Sequence, residues 1–256
     1  AVGGYFDATR TATITIIDRE SAFDEIAATN GIEIIAKDAV GNDITISKPA
    51  MISWVHNGDN HVATITFEAD ANYKWSFDYT NKADLVLDRS STIETGDSMY
   101  EFTVDTKAPT ASISIDVDNT WDKLLSTLTF GIWNNYSITA IATSSDATSP
   151  VQEVVYYKSN ADAALTESEL EAIYEAGKFV PGTYTVSADE KFTVYARITD
   201  NAGNTLYVST DGLIVDTTDS VITLTPDVAN DNGFYNKDVN VNISVSEIVD
   251  GKTAYS

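Results

Sequence analysis

The chain has 256 residues, no cysteine and a formal net charge of −24. This charge argues against nucleic acid as a partner, because phosphate contacts need a basic face, and against anionic membrane surfaces. No apolar stretch approaches the roughly 20 residues that cross a bilayer, so no membrane insertion is predicted. Abundant Thr, Ile, Val and Tyr, with Gly and Asn between the apolar runs, predict an all-β fold.

The first part of the chain alternates apolar and polar side chains, as half-buried strands do. The predicted strands cover residues 11–16, 32–36, 44–46, 61–67 and 100–104. Tyr73, Trp75, Phe77 and Tyr79 place four aromatic side chains at a spacing of two. This stripe predicts the inward face of a sheet with a large buried area.

Further strands follow, interrupted by one helix. The predicted strands cover residues 111–115, 127–130, 136–142, 153–157, 183–186, 192–198 and 206–215. Thr166 and Glu169 match the Ser/Thr-x-x-Glu capping box, and apolar residues at i, i+3 and i+4 follow from Leu170. The pattern predicts a short helix near residues 166–176.

The tripeptide Val-Asp-Thr occurs at residues 104–106 and again at 215–217, 111 residues later (216 − 105). Each time it ends an apolar run, and a new alternating run begins after a short polar joint. A period near 110 residues is typical of one β-sandwich module. The chain is therefore predicted to hold a first module at 1–106, a second at 107–217 and the truncated start of a third at 218–256.

The third segment repeats the beginning of the chain. Residues from Gly233 onward match those from Gly4 onward at an offset of 229 (233 − 4), and a strand at 221–224 precedes the match. We therefore expect the first module to lack its N-terminal strand, in a chain excised from a longer series. Because exposed strand edges pair readily, we expect the third segment to dock on another molecule or on the second module.

The chain resembles bacterial immunoglobulin-like repeat modules found in large surface proteins of Gram-positive, gut Firmicutes-type bacteria. The resemblance is carried by the two Val-Asp-Thr junctions, the Thr-Lys-Ala-Pro joint at 106–109, the Asp-Asn-Ala-Gly-Asn turn at 200–204 and the strand start at 10–14. It implies tandem Ig-like β-sandwiches. The absence of cysteine fits an exported bacterial protein and argues against animal-type Ig domains stapled by a disulfide.

The resemblance also implies a function. It indicates a non-enzymatic structural spacer or adhesin stalk of a bacterial multi-domain protein, extracellular and either secreted or attached to the cell wall. Its partners would be neighbouring Ig-like modules of the same chain and a host or glycan ligand. The alternative is a carbohydrate-binding accessory region of a secreted glycan-degrading enzyme, in which Trp54, Trp75, Trp121 and Trp133 could stack on sugars.

The two histidines, His56 and His61, lie in one predicted hairpin. A Ser-His-Asp site needs a histidine beside its nucleophile, and nothing in the sequence indicates one. The pair is interpreted as hairpin polar residues. A zinc site with Asp59 as a third ligand is the alternative. No enzymatic activity and no catalytic residue are predicted.

Calcium is the metal that the sequence favours, because carboxylates and carbonyls at module joints are the oxygen ligands it prefers. The candidate ligands are Asp105 and Asp216 at the two junctions and Asp200 in the Gly-Asn turn. The acidic clusters at 116–119 and 227–231 are further candidates. The alternative is that each junction aspartate accepts hydrogen bonds in a turn. No run has EF-hand spacing, and no other cofactor is predicted.

Overall fold

The chain folds mostly as β-strands with few helices, as its composition predicted. The computed structural model describes residues 4–19, 21–86, 101–116, 132–161, 163–186, 189–227, 234–235, 237–249 and 252–255. The strand predicted at 127–130, Trp121 and the acidic residues within 117–119 and 228–231 lie outside these ranges. None of the described helices has the length and apolar character that crossing a membrane requires.

A first compact unit groups Ala1–Ala111 with Ser144–Val154 and Ile198–Leu206. Its first elements are β1 (Tyr5–Phe6), β2 (Arg10–Ile17), α1 (Glu25–Gly31), β3 (Ile32–Lys37), α2 (Lys48–Met51), β4 (Ile52–Asn57), β5 (Asn60–Phe67), β6 (Ala71–Phe77) and β7 (Glu101–Val104). The strands form two sheets, ordered β1-β7-β6-β3 and β2-β5-β4. All neighbours are antiparallel except β1 and β7, which run parallel.

Both sheets contribute side chains to one hydrophobic core. Tyr73, Trp75 and Tyr79 of the predicted aromatic stripe are buried, and Phe77 is half-buried. Phe67, from the other sheet, packs edge to face on Tyr73 with 5.0 Å between ring centroids. The stripe is therefore an inward face, as its spacing predicted.

The first unit also contains two helices that the sequence did not predict. Asp24 precedes α1 and its Oδ1 accepts the N–H of Ala27 at 3.0 Å, which satisfies a donor that the first helical turn leaves free. Gly31 ends α1, where the Asp78 carbonyl approaches so closely that a Cβ at position 31 would lie 1.7 Å from its oxygen. A glycine is therefore required where the helix passes into β3.

The next elements form two more sheets. They are β8 (Thr110–Asp116), β9 (Ile132–Asn134), β10 (Ile138–Ser145), β11 (Val151–Ser159), α3 (Glu167–Glu175), β12 (Val180–Pro181), β13 (Tyr184–Val186), β14 (Glu190–Asp200), β15 (Thr205–Ser209) and β16 (Leu213–Val215). The sheets are ordered β13-β10-β8 and β12-β11-β14-β16-β9, with β15 also paired to β14. The predicted capping box is present at the start of α3, between Thr166 and Glu169.

The strand pairing is the same at the two Val-Asp-Thr junctions. Strand β7 lies parallel to β1 and antiparallel to β6, and β16 lies parallel to β9 and antiparallel to β14. The N–H of Asp105 donates to the Phe6 carbonyl at 2.9 Å, and that of Asp216 donates to the Asn134 carbonyl at 2.8 Å. The repeat found in the sequence is thus also a repeat of strand pairing.

The last strands, β17 (Val221–Pro226), β18 (Val241–Val249) and β19 (Lys252–Tyr255), form a sheet of their own. All six residues of β17 are exposed, including Val221, Ile222 and Leu224. The expected packing of this strand on the second module is therefore not observed. Its pairing with another molecule stays a prediction.

Trp75→Ala should lower the free energy of unfolding by about 3–5 kcal/mol, because it removes a buried aromatic ring from the core. Lys74→Ala is the matched control: Lys74 is the preceding residue of β6, its side chain is 65% exposed, and it pairs at the surface with Glu101. Such exposed ion pairs contribute about 0–1 kcal/mol. Urea denaturation followed by circular dichroism measures both. Equal transition midpoints for the two variants would contradict a core position for Trp75.

Candidate metal centre

Three aspartates that are far apart in the sequence meet in the first unit. Asp105 follows β7, Asp146 follows β10, and Asp200 is the last residue of β14. One carboxylate oxygen of each lies within 4.8 Å of the others. This is the one group of three or more acidic, histidine or cysteine side chains with metal-binding spacing in the described part of the chain.

Asp200 is positioned by the turn between β14 and β15. Its Oδ1 accepts the N–H groups of Gly203 at 2.7 Å and Asn204 at 2.9 Å. Gly203 has a φ of +100°, whereas Asn204 is outside the positive-φ region. Asn204 instead donates through Nδ2 to Asp200 Oδ2 at 2.9 Å and to the Asp105 carbonyl at 2.8 Å. The amide thereby ties the turn to the junction.

Asp146 is held by a tight turn of its own. Its Oδ1 accepts the N–H groups of Thr148 at 2.8 Å and Ser149 at 2.9 Å. The buried hydroxyl of Ser149 then donates to Asp105 Oδ2 at 2.7 Å. Asp146 itself is half-buried, so the group is open to solvent on its side.

Asp105 is fully buried, with 0% of its surface exposed. Burial raises the pKa of its carboxyl above the usual value, and the negative charges of Asp146 and Asp200 raise this pKa further. The hydrogen bonds from the Ser149 hydroxyl and the Lys107 N–H lower it, but by less. The Lys107 ammonium lies 3.0 Å from a different carboxylate. Among the described residues, no lysine or arginine forms an ion pair with any of the three aspartates.

The negative charge of the cluster is therefore not compensated by any ion pair among the described residues. Buried like charges at this spacing are costly, and either a proton or a cation relieves the repulsion. Carboxylate oxygens are the preferred ligands of hard divalent cations, and calcium completes its shell of six to eight oxygens with carbonyls and water. Asp105, Asp146 and Asp200 are thus the residues that would hold calcium here.

The structure changes the set of candidate ligands drawn from the sequence. It brings Asp105 and Asp200 together, as predicted, and adds Asp146, which the sequence reading missed. Asp216 does not belong to this group; it is half-buried, and its Oδ1 accepts the Thr218 N–H at 3.3 Å. Asp227 is exposed and accepts hydrogen bonds from Asn240.

The Asp200 turn has a counterpart that lacks the neighbouring acids. Asp38 Oδ1 accepts the N–H groups of Val40 at 3.0 Å and Asn42 at 2.8 Å, and Gly41 has a φ of +91°. The side-chain and backbone hydrogen bonds from Asn42 lower the pKa of Asp38. The pattern Asp-x-x-Gly-Asn, at 38–42 and 200–204, therefore specifies a turn by itself. Only the convergence with two further carboxylates makes the second one a candidate site.

The described tryptophan side chains do not form an exposed aromatic platform. Trp75 is buried in the core, and Trp54 is half-buried with its Nε1 donating to Thr29 Oγ1 at 2.9 Å. Sugar stacking requires exposed, coplanar rings. The carbohydrate alternative thus gains no support from these two residues.

No protein-family model matches the sequence, and no curated protein matches it.

Replacing Asp105 by Asn should stabilise the calcium-free protein at neutral pH. The pKa of Asp105 is higher in the folded chain than in the unfolded chain, so its ionised form destabilises the fold at any pH above the folded-state pKa. This destabilisation disappears as the pH falls below the pKa of the unfolded chain, near 3.8. Asn keeps the shape of Asp and one acceptor oxygen. The measurement is the difference in free energy of unfolding between Asp105→Asn and wild type, both in chelator. This difference should shrink steadily as the pH is lowered. A variant that is less stable at every pH would contradict the raised pKa.

Proposed function

We propose that this chain is a non-enzymatic spacer segment of an extracellular bacterial protein, built from tandem Ig-like modules whose junction is stiffened by calcium. The observation that carries the proposal is the convergence of Asp105, Asp146 and Asp200 at the first Val-Asp-Thr junction. Two of these residues were singled out from the sequence for their place at a joint and in a turn. The third, Asp146, is held beside them by a turn whose Ser149 hydroxyl donates to Asp105.

The origin of the three ligands favours a role at a joint. In the division predicted from the sequence, Asp105 belongs to the end of the first module, whereas Asp146 and Asp200 belong to loops of the second. A cation bound by all three would link the end of the predicted first module to two loops of the predicted second module, all of which lie within the first compact unit of the structure. Because the ligands come from separate stretches of chain, binding would restrict motion at the joint while it neutralised the buried charge.

The repeated hydrogen bonds at the junctions support a series of modules. Thr106 donates to Asp70 Oδ1 through its N–H and its hydroxyl, both at 2.8 Å. Thr217 donates in the same way to Asp189 Oδ1, at 2.5 and 2.8 Å. The two acceptors are 119 residues apart (189 − 70). A connection held by the same pair of threonine–aspartate hydrogen bonds at both junctions suits a protein that holds its ends at a set distance.

An extracellular setting agrees with the chemistry of the site. Extracellular calcium modules work with dissociation constants of about 10⁻⁴–10⁻³ M, which a few carboxylates with water can provide. The absence of cysteine leaves such a chain without disulfides to stiffen it. The proposal also includes a host or glycan ligand, which the resemblance to bacterial immunoglobulin-like repeat modules implies.

Calcium should raise the melting temperature of the wild-type chain, because a ligand that binds only the folded state stabilises it by about 2.7 kcal/mol at 100 times its dissociation constant. Asp146→Asn and Asp200→Asn should abolish most of this gain. Asp216→Asn is the matched control, since Asp216 occupies the same position in the second junction outside the cluster. Calorimetry in calcium and in chelator measures the effect. Identical melting curves in the two buffers would remove the calcium site.

The spacer role is tested separately from binding. Small-angle X-ray scattering should show a narrower distribution of interatomic distances when calcium is added to wild type, because a linked joint samples fewer orientations. Asp200→Asn should show no such change. If calcium binds and the distribution does not narrow, the site stands and the stiffening role is wrong.

A further inference from the structure

The two histidines face each other across the β4–β5 hairpin. His56 and His61 are directly paired in the strand register, and their Nδ1 atoms lie 2.9 Å apart. The hairpin that aligns them closes through Gly58, whose φ is +60°. A Nδ1 to Nδ1 contact this short needs either a proton or a metal cation between the rings, because two nitrogen lone pairs repel each other.

The outer nitrogens fix which protons the rings carry. His56 Nε2 lies 3.0 Å from Glu25 Oε2, and His61 Nε2 lies 3.3 Å from the carbonyl oxygen of Asp18. A carbonyl and an ionised carboxylate can only accept hydrogen bonds, so each Nε2 carries its proton. In the neutral rings both Nδ1 atoms are then unprotonated and direct their lone pairs into the same gap.

We propose that His56 and His61 form a two-imidazole site for a borderline divalent transition-metal ion, Zn²⁺, Cu²⁺ or Ni²⁺. Metal-binding histidines almost always donate their other ring N–H to a carboxylate or a backbone carbonyl, which sets the tautomer and raises the basicity of the ligand nitrogen. Both rings already do so here, one to each kind of acceptor. Imidazole nitrogen suits these metals, whereas calcium and magnesium prefer oxygen.

One ring is fixed and the other can adjust. His61 is 1% exposed and stacks on Phe23, with ring centroids 3.8 Å apart and planes 7° apart. The His56 side chain is 41% exposed and lies parallel to the Trp54 ring. Tetrahedral zinc with bonds of about 2.0–2.1 Å separates two ligand nitrogens by about 3.3 Å, so a shift of about 0.4 Å by His56 admits the ion.

The remaining coordination positions belong to water. Asp59, the third ligand considered from the sequence, does not group with the histidines, since no described acidic side chain completes a set of three around them. His56 faces solvent, which leaves room for water ligands. The ion would link the two strands of the hairpin, and the hydrogen bond from His56 to Glu25, the first residue of α1, would orient one of its ligands.

The site differs from the carboxylate cluster in both residues and ligand chemistry. Replacing the histidines should abolish the binding of zinc and copper, whereas replacing Asp146 or Asp200 should abolish the binding of calcium. The proposal therefore stands or falls independently of the calcium site.

Side-chain ¹⁵N–¹H spectra of the metal-free full chain test the site directly, because only two histidines are present. Adding ZnCl₂ in excess should shift both Nδ1 resonances and leave both Nε2 atoms protonated. If the resonances of both histidine rings stayed unchanged, the gap between the two Nδ1 atoms would hold a shared proton only, and the proposal would be overturned. A shift confined to one ring would overturn it too.

Isothermal titration with ZnCl₂ provides the second test. His56→Gln, at an exposed side chain, should lose most of the binding, and Glu25→Gln should weaken binding by about tenfold or more because the outer partner of His56 is altered. Asp200→Asn is the matched control and should bind zinc as wild type does. Equal zinc affinity in wild type and His56→Gln would place the ion elsewhere. Calcium titrations of His56→Gln should match wild type.

Discussion

Aspartate carboxylates accept the backbone N–H groups that the strands leave unpaired where they end. This holds for Asp38, Asp70, Asp105, Asp146, Asp189 and Asp200. A buried N–H without an acceptor is costly, and a carboxylate can satisfy several at once. The position of each turn, and through the turns the pairing of the strands, depends on these bonds. Part of the strongly acidic composition thus has a structural origin.

The same interaction creates the electrostatic problem at the first junction. Asp38 and Asp105 both accept backbone hydrogen bonds, yet the pKa of Asp38 is lowered and that of Asp105 is raised. The difference arises because only Asp105 is buried beside two further acids, so desolvation and repulsion outweigh its hydrogen bonds. Three turns that are each favourable alone therefore become a group that favours a cation when they converge.

Local patterns predicted most strands, the aromatic stripe and the helix α3, because alternation and capping act over a few residues. Helix α1 escaped prediction because Thr29 and Asn30 are weak helix formers and its stability comes from the cap at Asp24 and from packing. No local pattern marks Asp146 as a candidate ligand, because its position beside Asp105 depends on contacts between residues 41 apart in the sequence (146 − 105). The hydrogen bond from Asn204 to the junction likewise depends on tertiary structure. The repeated Asp-x-x-Gly-Asn pattern was visible and specified a turn, not a site.

Both proposed ion sites would cross-link parts of the chain. Calcium would connect segments that are distant in the sequence, at residues 105, 146 and 200, whereas zinc or copper would link the two strands of the β4–β5 hairpin. A chain without cysteine has no disulfide to make such connections. Unlike a disulfide, an ion link responds to its surroundings, because its contribution grows with the concentration of the free ion. Oxygen ligands in one site and nitrogen ligands in the other would make the first unit responsive to two different metals at separate places.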